Sequence, residues 1–255
     1  MAIRSFGSGK LFAQRTDVPN STPTKFADLQ DVTVEFSGST KEVYGEGQFA
    51  VAVGRATGKI TGKAKSAQIQ SRVYADLFFG TALRTGRTAL AQSEAAMIPA
   101  AAVGGAYPVP AANAASFQKD LGVIYAASGV PFQRVAAAPA AGQYSVSAVG
   151  IYSFAAADEG VPVLLNYLWT DATKGQTMTF MNPDQGIQPV FSVSLATQFT
   201  GPSGTKGAVL TLRACISDKL SIATKQGDWM IPEFDFSAQQ DDSGAIFDWS
   251  FDEAQ

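Results

Sequence analysis

Histidine is missing from this 255-residue chain, and cysteine occurs once, at Cys215. Histidine is the commonest general base near neutral pH and the commonest transition-metal ligand. Its absence excludes Ser-His-Asp and Cys-His catalysis and any histidine-ligated metal centre. A single cysteine rules out an internal disulfide and a thiolate zinc cluster, and agrees with a reducing compartment. The apolar neighbours Ala214 and Ile216 mark Cys215 as a small sheet residue rather than a nucleophile. No apolar run reaches the roughly 18 residues that a spanning helix needs. The first ten residues lack the basic start and apolar stretch of a secretory signal, so assembly in a cytoplasm is expected. Charged residues make up only 16% of the chain and leave a net −3, which is not the balance of a dedicated nucleic-acid binder.

What is present is apolar residues at strand spacing. With 46% hydrophobic residues, the chain can bury one large core or two modest ones as a soluble globular protein. Val32, Val34 and Phe36 alternate with Thr33 and Glu35. Residues 48–69 then read as a long β-hairpin, with Phe49, Val51 and Val53 on one face of its first arm and a turn at 54–58. Its second arm alternates Lys59, Thr61, Lys63 and Lys65 against Ile60, Gly62 and Ala64. Residues 71–80 predict the one helix, with Ser71 as cap, Val73, Leu77 and Phe78 on one face, and Gly80 at its end. It is short, so packing must stabilise it.

Residues 88–116, rich in Ala with Gly104-Gly105, Pro99, Pro108 and Pro110, read as an irregular connection. Strands follow at 122–126, 143–149, 151–155, 161–169, 177–181, 190–200 and 207–217, parted by turn residues such as Asn182-Pro183-Asp184 and Gly201-Pro202-Ser203-Gly204. Both faces of 161–169 are mostly apolar, which predicts a central strand. The expected fold is mainly β: a β-sandwich or barrel with one short helix, an extended N-terminal arm at 1–25, and a single domain at 26–255.

Charge is segregated along the chain. Between residues 48 and 75 there are five cations (Arg55, Lys59, Lys63, Lys65, Arg72) and no carboxylate, whereas eight carboxylates and no cation follow Lys225. Copies of the same chain could bring such complementary patches together. Residues 229–236 and 246–251 alternate aromatics with carboxylates, the pattern of edge strands that are paired or covered. Stacking aromatics for nucleic acid are missing from the basic hairpin, where Thr61 and Ala64 stand. At strand rise, ten hairpin residues reach roughly 33 Å, enough to touch a neighbouring subunit.

No catalytic, cofactor-binding or metal-ligating residue is assigned. Gly7-Ser8-Gly9-Lys10 lacks the earlier glycine of a phosphate loop, and Gly54-Arg55-Ala56-Thr57-Gly58-Lys59-Ile60 has the wrong spacing and Ile60 in place of a hydroxyl. Asp241-Asp242-Ser243-Gly244 and Asn182-Pro183-Asp184-Gln185-Gly186 fall short of a calcium loop and read as turns. Asp158-Glu159-Gly160 reads as a solvated turn. Tyr144, Tyr152, Tyr167 and Trp169 could line a sugar cleft, but at alternating strand positions they read as core or interface residues.

Several stretches together resemble the major tail tube proteins of long-tailed bacteriophages. They are Phe26-Ala27-Asp28-Leu29-Gln30-Asp31-Val32-Thr33-Val34-Glu35-Phe36 leading into the hairpin, Gly142-Gln143-Tyr144-Ser145-Val146 through Gly150-Ile151-Tyr152-Ser153-Phe154, Asp158-Glu159-Gly160 with Asn166-Tyr167, and Ile231-Pro232-Glu233-Phe234-Asp235-Phe236. The resemblance implies a non-enzymatic virion protein that forms hexameric rings stacked into a hollow tube for genome ejection. It implies residues 1–25 as an arm, 38–69 as sheet and inter-ring loop, and the acidic C-terminal strand as a contact to a neighbour. Further implied partners are tape-measure, tail-terminator and distal tail proteins, with no membrane and no cofactor. DNA would slide past acidic lumen walls without specific binding. The alternative is a capsid-decoration or carbohydrate-binding β-sandwich.

Overall fold

The computed structural model describes residues 7–100, 107–201 and 204–252. It is mainly β, as expected. In chain order the first strands are β1 (Lys10–Arg15), β2 (Thr24–Lys25), β3 (Leu29–Tyr44), β4 (Ala50–Ser66), β5 (Arg84–Met97), β6 (Tyr107–Pro110), β7 (Phe117–Tyr125) and β8 (Gln133–Arg134). They are followed by β9 (Gln143–Val146), β10 (Ile151–Phe154), β11 (Pro162–Thr177), β12 (Phe191–Gly201), β13 (Gly204–Ser221), β14 (Glu233–Gln239) and β15 (Phe247–Phe251). The expected single domain at 26–255 divides into two compact units, one made of Met1–Leu83 with Met178–Gln255, the other of Arg84–Thr177. The physical reason is strand pairing: β5 and β11 form one antiparallel ladder from Arg84 opposite Thr177 to Met97 opposite Pro162. The segment therefore enters and leaves side by side.

The first unit is one sheet in the order β2-β1-β12-β13-β14-β4-β3, with β15 also paired to β13. Strand alternation sends Leu11, Val193, Leu210, Leu212, Phe234 and Phe236 into one core, where Val73, Tyr74 and Leu77 of the helical segment join them. Burying each large apolar side chain contributes about 1.5–3 kcal/mol. The helical segment starts as Ser71–Val73, widens into π-type turns at Tyr74–Phe79 and stops at Gly80, whose φ of +61° suits glycine. Gln70, not Ser71, occupies the N-cap position.

The arm expected at 1–25 is not free over its second half. β1 pairs with β12 from Lys10 opposite Ala196 to Arg15 opposite Phe191, and Leu11 and Ala13 are buried. Two inward residues among polar ones are too short a pattern to stand out in the sequence. Residues 1–6 lie outside the described chain.

Gly62 shows how closely this sheet is packed. A Cβ there would sit 2.1 Å from Cζ of Phe236, whose ring end occupies the space beside the glycine. Gly62→Ala is expected to cost about 1–3 kcal/mol through overpacking. Chemical denaturation of Gly62→Ala, Phe236→Leu and the double variant checks this, with partial rescue expected in the double variant.

The second unit has two sheets, β5-β11-β7 and β6-β10-β9-β8, that share one core and so form a small sandwich. β11 is central, as its two apolar faces predict. The connection expected at 88–116 is largely strand instead: β5 continues to Met97 and β6 covers Tyr107–Pro110, while Gly104-Gly105 lies outside the described residues. Alanine favours strands weakly, so this ladder forms because β11 offers an apolar partner. Near its middle the register shifts, Ser93 takes a φ of +54°, and its N–H donates to Asn166 Oδ1 at 2.9 Å.

Two carboxylates pin this unit. Asp158, expected in a solvated turn, is buried, and its oxygens accept the Gly142 N–H at 3.0 and 3.2 Å. Asp120 accepts hydrogen bonds from the Tyr144 hydroxyl at 2.7 Å and the Tyr152 hydroxyl at 3.1 Å, with Arg134 Nε 3.6 Å away. Burial, then this carboxylate, pushes both phenols well above their ordinary pKa.

Candidate interaction surface

β3 and β4 stay paired as far as Tyr44 opposite Ala50, whereas β14 accompanies β4 only over residues 60–65. Residues 37–44 and 50–59 therefore leave the sheet as a two-stranded ribbon that residues 45–49 close. The turn expected at 54–58 lies within β4 instead: Gly58 faces Gly38, Arg55 faces Thr40, and the register shifts between them. The exposed Arg55 guanidinium lies over Gly38, 2.8 Å from where a Cβ would stand, and could swing aside from one. Eight residues at strand rise carry the tip roughly 26 Å from the sheet.

Apolar side chains crowd this ribbon without cover. Val43, Tyr44, Phe49, Val51 and Val53 are 60–86% exposed. The Tyr44 hydroxyl donates to Glu42, so these two side chains share a face. An isolated two-stranded ribbon is marginally stable in water. Val51 and Val53 share one face and Val43, paired with Ala52, lies on the other, and exposed apolar side chains gathered on so small an element mark a contact site.

A second uncovered surface lies at the ribbon's root. β14 and β15 follow one another along the same edge of β13, with Gln239 opposite Ala214 and Phe247 opposite Leu212, while residues 240–246 loop out. Phe247, Trp249 and Phe251 alternate onto the face that carries Leu210 and Leu212, and so extend the core beyond its buried part. Phe36, the last β3 residue before the ribbon, stacks on Trp249 at 6.0 Å and meets Phe247 edge-on at 5.2 Å; Trp249 in turn touches Phe251 at 5.0 Å. These four rings remain 40–54% exposed.

Part of the segregated charge is satisfied within the chain, so that part needs no second copy. Lys63 and Lys65 each lie 3.2 Å from Glu233, because β4 and β14 are neighbours in the sheet though distant in sequence. Arg213 donates to both oxygens of Asp248 at 2.7 and 3.0 Å and to Asp241 at 3.3 Å. Arg55 and Lys59, on the ribbon, form no salt bridge among the described residues.

These pairs set the pH response. Hydrogen bonds from Lys63 and Lys65 hold Glu233 below its ordinary value, Arg213 does the same for Asp248, and Arg15 for Asp17. Ser243 and Thr173 lower Asp241 and Asp171. Each folded pKa lies below the unfolded one, so the stabilisation is complete above the unfolded values and is lost as pH falls through the folded ones. With no histidine to titrate, the melting temperature is expected to be nearly flat from pH 5.5 to 7 and to fall below about pH 4.5. Calorimetry across that range checks it; a transition near pH 6 would contradict it.

The remaining candidates resolve as structure. Asp241 Oδ1 accepts hydrogen bonds from Ser243 N–H and Oγ–H and from Ala245 N–H, and Asp184 O accepts the Ile187 N–H, so both suspected calcium loops are turns. The Ser8 hydroxyl donates to Leu29 O, and Lys10 opens β1. Tyr144, Tyr152 and Tyr167 are buried, which leaves no platform for a sugar at those rings. Cys215 is buried, and burial pushes its thiol up to about 12. No cluster of three metal-ligating side chains occurs among the described residues. The aromatic patch escaped the sequence reading because Phe36 and Trp249 stand far apart in the chain and carry no local signal of contact. No model of a known protein family matches this chain, and no curated protein matches its sequence.

Proposed function

We propose that this chain is a structural subunit that polymerises with identical copies, in the manner of a phage tail tube: hexameric rings stacked into a conduit for genome ejection. The ribbon is the observation that carries the reading. It exposes five large apolar side chains on an element that contributes nothing to its own core. Evolution of a lone soluble domain disfavours such a surface, whereas a subunit completed by its neighbours requires one. The absence of histidine, the turn-like carboxylates and the buried tyrosines agree with a role without catalysis. In this reading DNA passes through the lumen without specific binding, tape-measure, tail-terminator and distal tail proteins meet the tube, and the protein resides in the virion tail. Negative-stain microscopy of the concentrated protein tests it: hollow tubes of uniform diameter are expected, and a field of isolated small particles would refute it.

A further inference from the structure

We infer that the aromatic patch of Phe36, Phe247, Trp249 and Phe251 is the acceptor for the ribbon of a second copy, and that this second copy stands beside the first within a ring. The inference rests on the polymerising reading above and adds to it where the ribbon lands. The ribbon and the aromatic patch are both uncovered apolar surfaces of one chain. The ribbon does not fold back onto its own patch, because its side chains are exposed from residue 37 to residue 59 apart from the partly buried Ala50.

Charge favours the match. Residues 37–59 carry three cations and two carboxylates, whereas residues 240–252 carry four carboxylates and no cation. Arg213 engages Asp241 and Asp248, which leaves Asp242, in the loop before β15, and Asp252, just after it, without a salt bridge among the described residues. Arg55 and Lys59 of the ribbon are similarly free of salt bridges. An aromatic centre with a charged rim is the composition of a hot spot.

Position decides which neighbour is involved. Phe36 belongs to the patch and Ser37 begins the ribbon, so donor and acceptor sit at the same end of this sheet. A contact between successive rings joins opposite ends of two copies. Side-by-side copies present the same end at the same height, so a ribbon roughly 26 Å long that leans toward its neighbour would meet the next acceptor in a heterologous contact that closes into a ring.

Cross-linking tests this directly, because the one native cysteine is buried and its thiol stays protonated. Phe49→Cys and Phe251→Cys proteins are prepared separately, mixed and treated with a short bismaleimide. A cross-linked dimer is expected only in the mixture, and the doubly substituted chain is expected to give a ladder that ends at a closed ring. Val51→Cys with Ser250→Cys, which leaves the aromatic patch intact, repeats the test should Phe251→Cys fold poorly. A ladder that stops at the dimer would mean a two-fold exchange and overturn the ring assignment. Tubes without any cross-link would overturn the acceptor while leaving the polymerising reading intact; monomers throughout would overturn both.

Discussion

A variant in which residues 39–57 are replaced by Asn-Gly is expected to fold normally and to remain monomeric. Gly38 and Gly58 face each other across the ladder, so a two-residue turn of the type that Asn-Gly favours can close the strands there. The deleted segment holds none of the buried core, and its removal is expected to move the melting temperature by no more than a few degrees. Assembly should be lost entirely, because Val43, Tyr44, Phe49, Val51 and Val53 go with it. Size-exclusion chromatography and microscopy together read both effects. Tubes formed by the shortened chain would show that the ribbon is dispensable. A milder form, Val51→Ser with Val53→Ser, should shift assembly to higher protein concentration without changing the fold.

Asp120→Ala is expected to destabilise the Arg84–Thr177 unit by about 3 kcal/mol. The loss leaves two buried tyrosine hydroxyls without an acceptor, each worth about 1–3 kcal/mol when stranded. The Asp120 side chain is only 3% exposed, so water cannot replace it. Asp120→Asn keeps one acceptor oxygen and should cost less, and Tyr144→Phe combined with Tyr152→Phe in the Asp120→Ala background should recover part of the loss. Urea unfolding of these three variants and the parent protein measures the coupling. An effect under 0.5 kcal/mol for Asp120→Ala would mean that the network contributes little.

Much of the strand content was legible because alternation is a local signal. Val32, Val34 and Phe36, or Phe234 and Phe236, announce an inward face wherever the chain pairs, and Gly80 announces the end of the helical segment. The ribbon's apolar side chains were legible too, but not its turn. Gly45 and Gly47 compete with Gly54 and Gly58 as reversal points, and only the pairing of Gly38 with Gly58 selects the first pair. Long-range partners left no local trace. Lys63 and Lys65 look like free cations until β14 brings Glu233 beside them, and Asp158 looks like a turn residue until Gly142 folds against it. The division into two units also depends on distant pairing, since nothing near Arg84 or Thr177 marks them as adjacent. The aromatic patch needed both: alternation places Phe247, Trp249 and Phe251 on one face, and only the fold adds Phe36.

Sedimentation velocity of the full chain at increasing concentration is the most direct check that this subunit is completed by copies of itself. The expected result is a shift from monomer to ring-sized and larger species, abolished when residues 39–57 are replaced by Asn-Gly. A single monomeric boundary that persists at the highest concentration would contradict it.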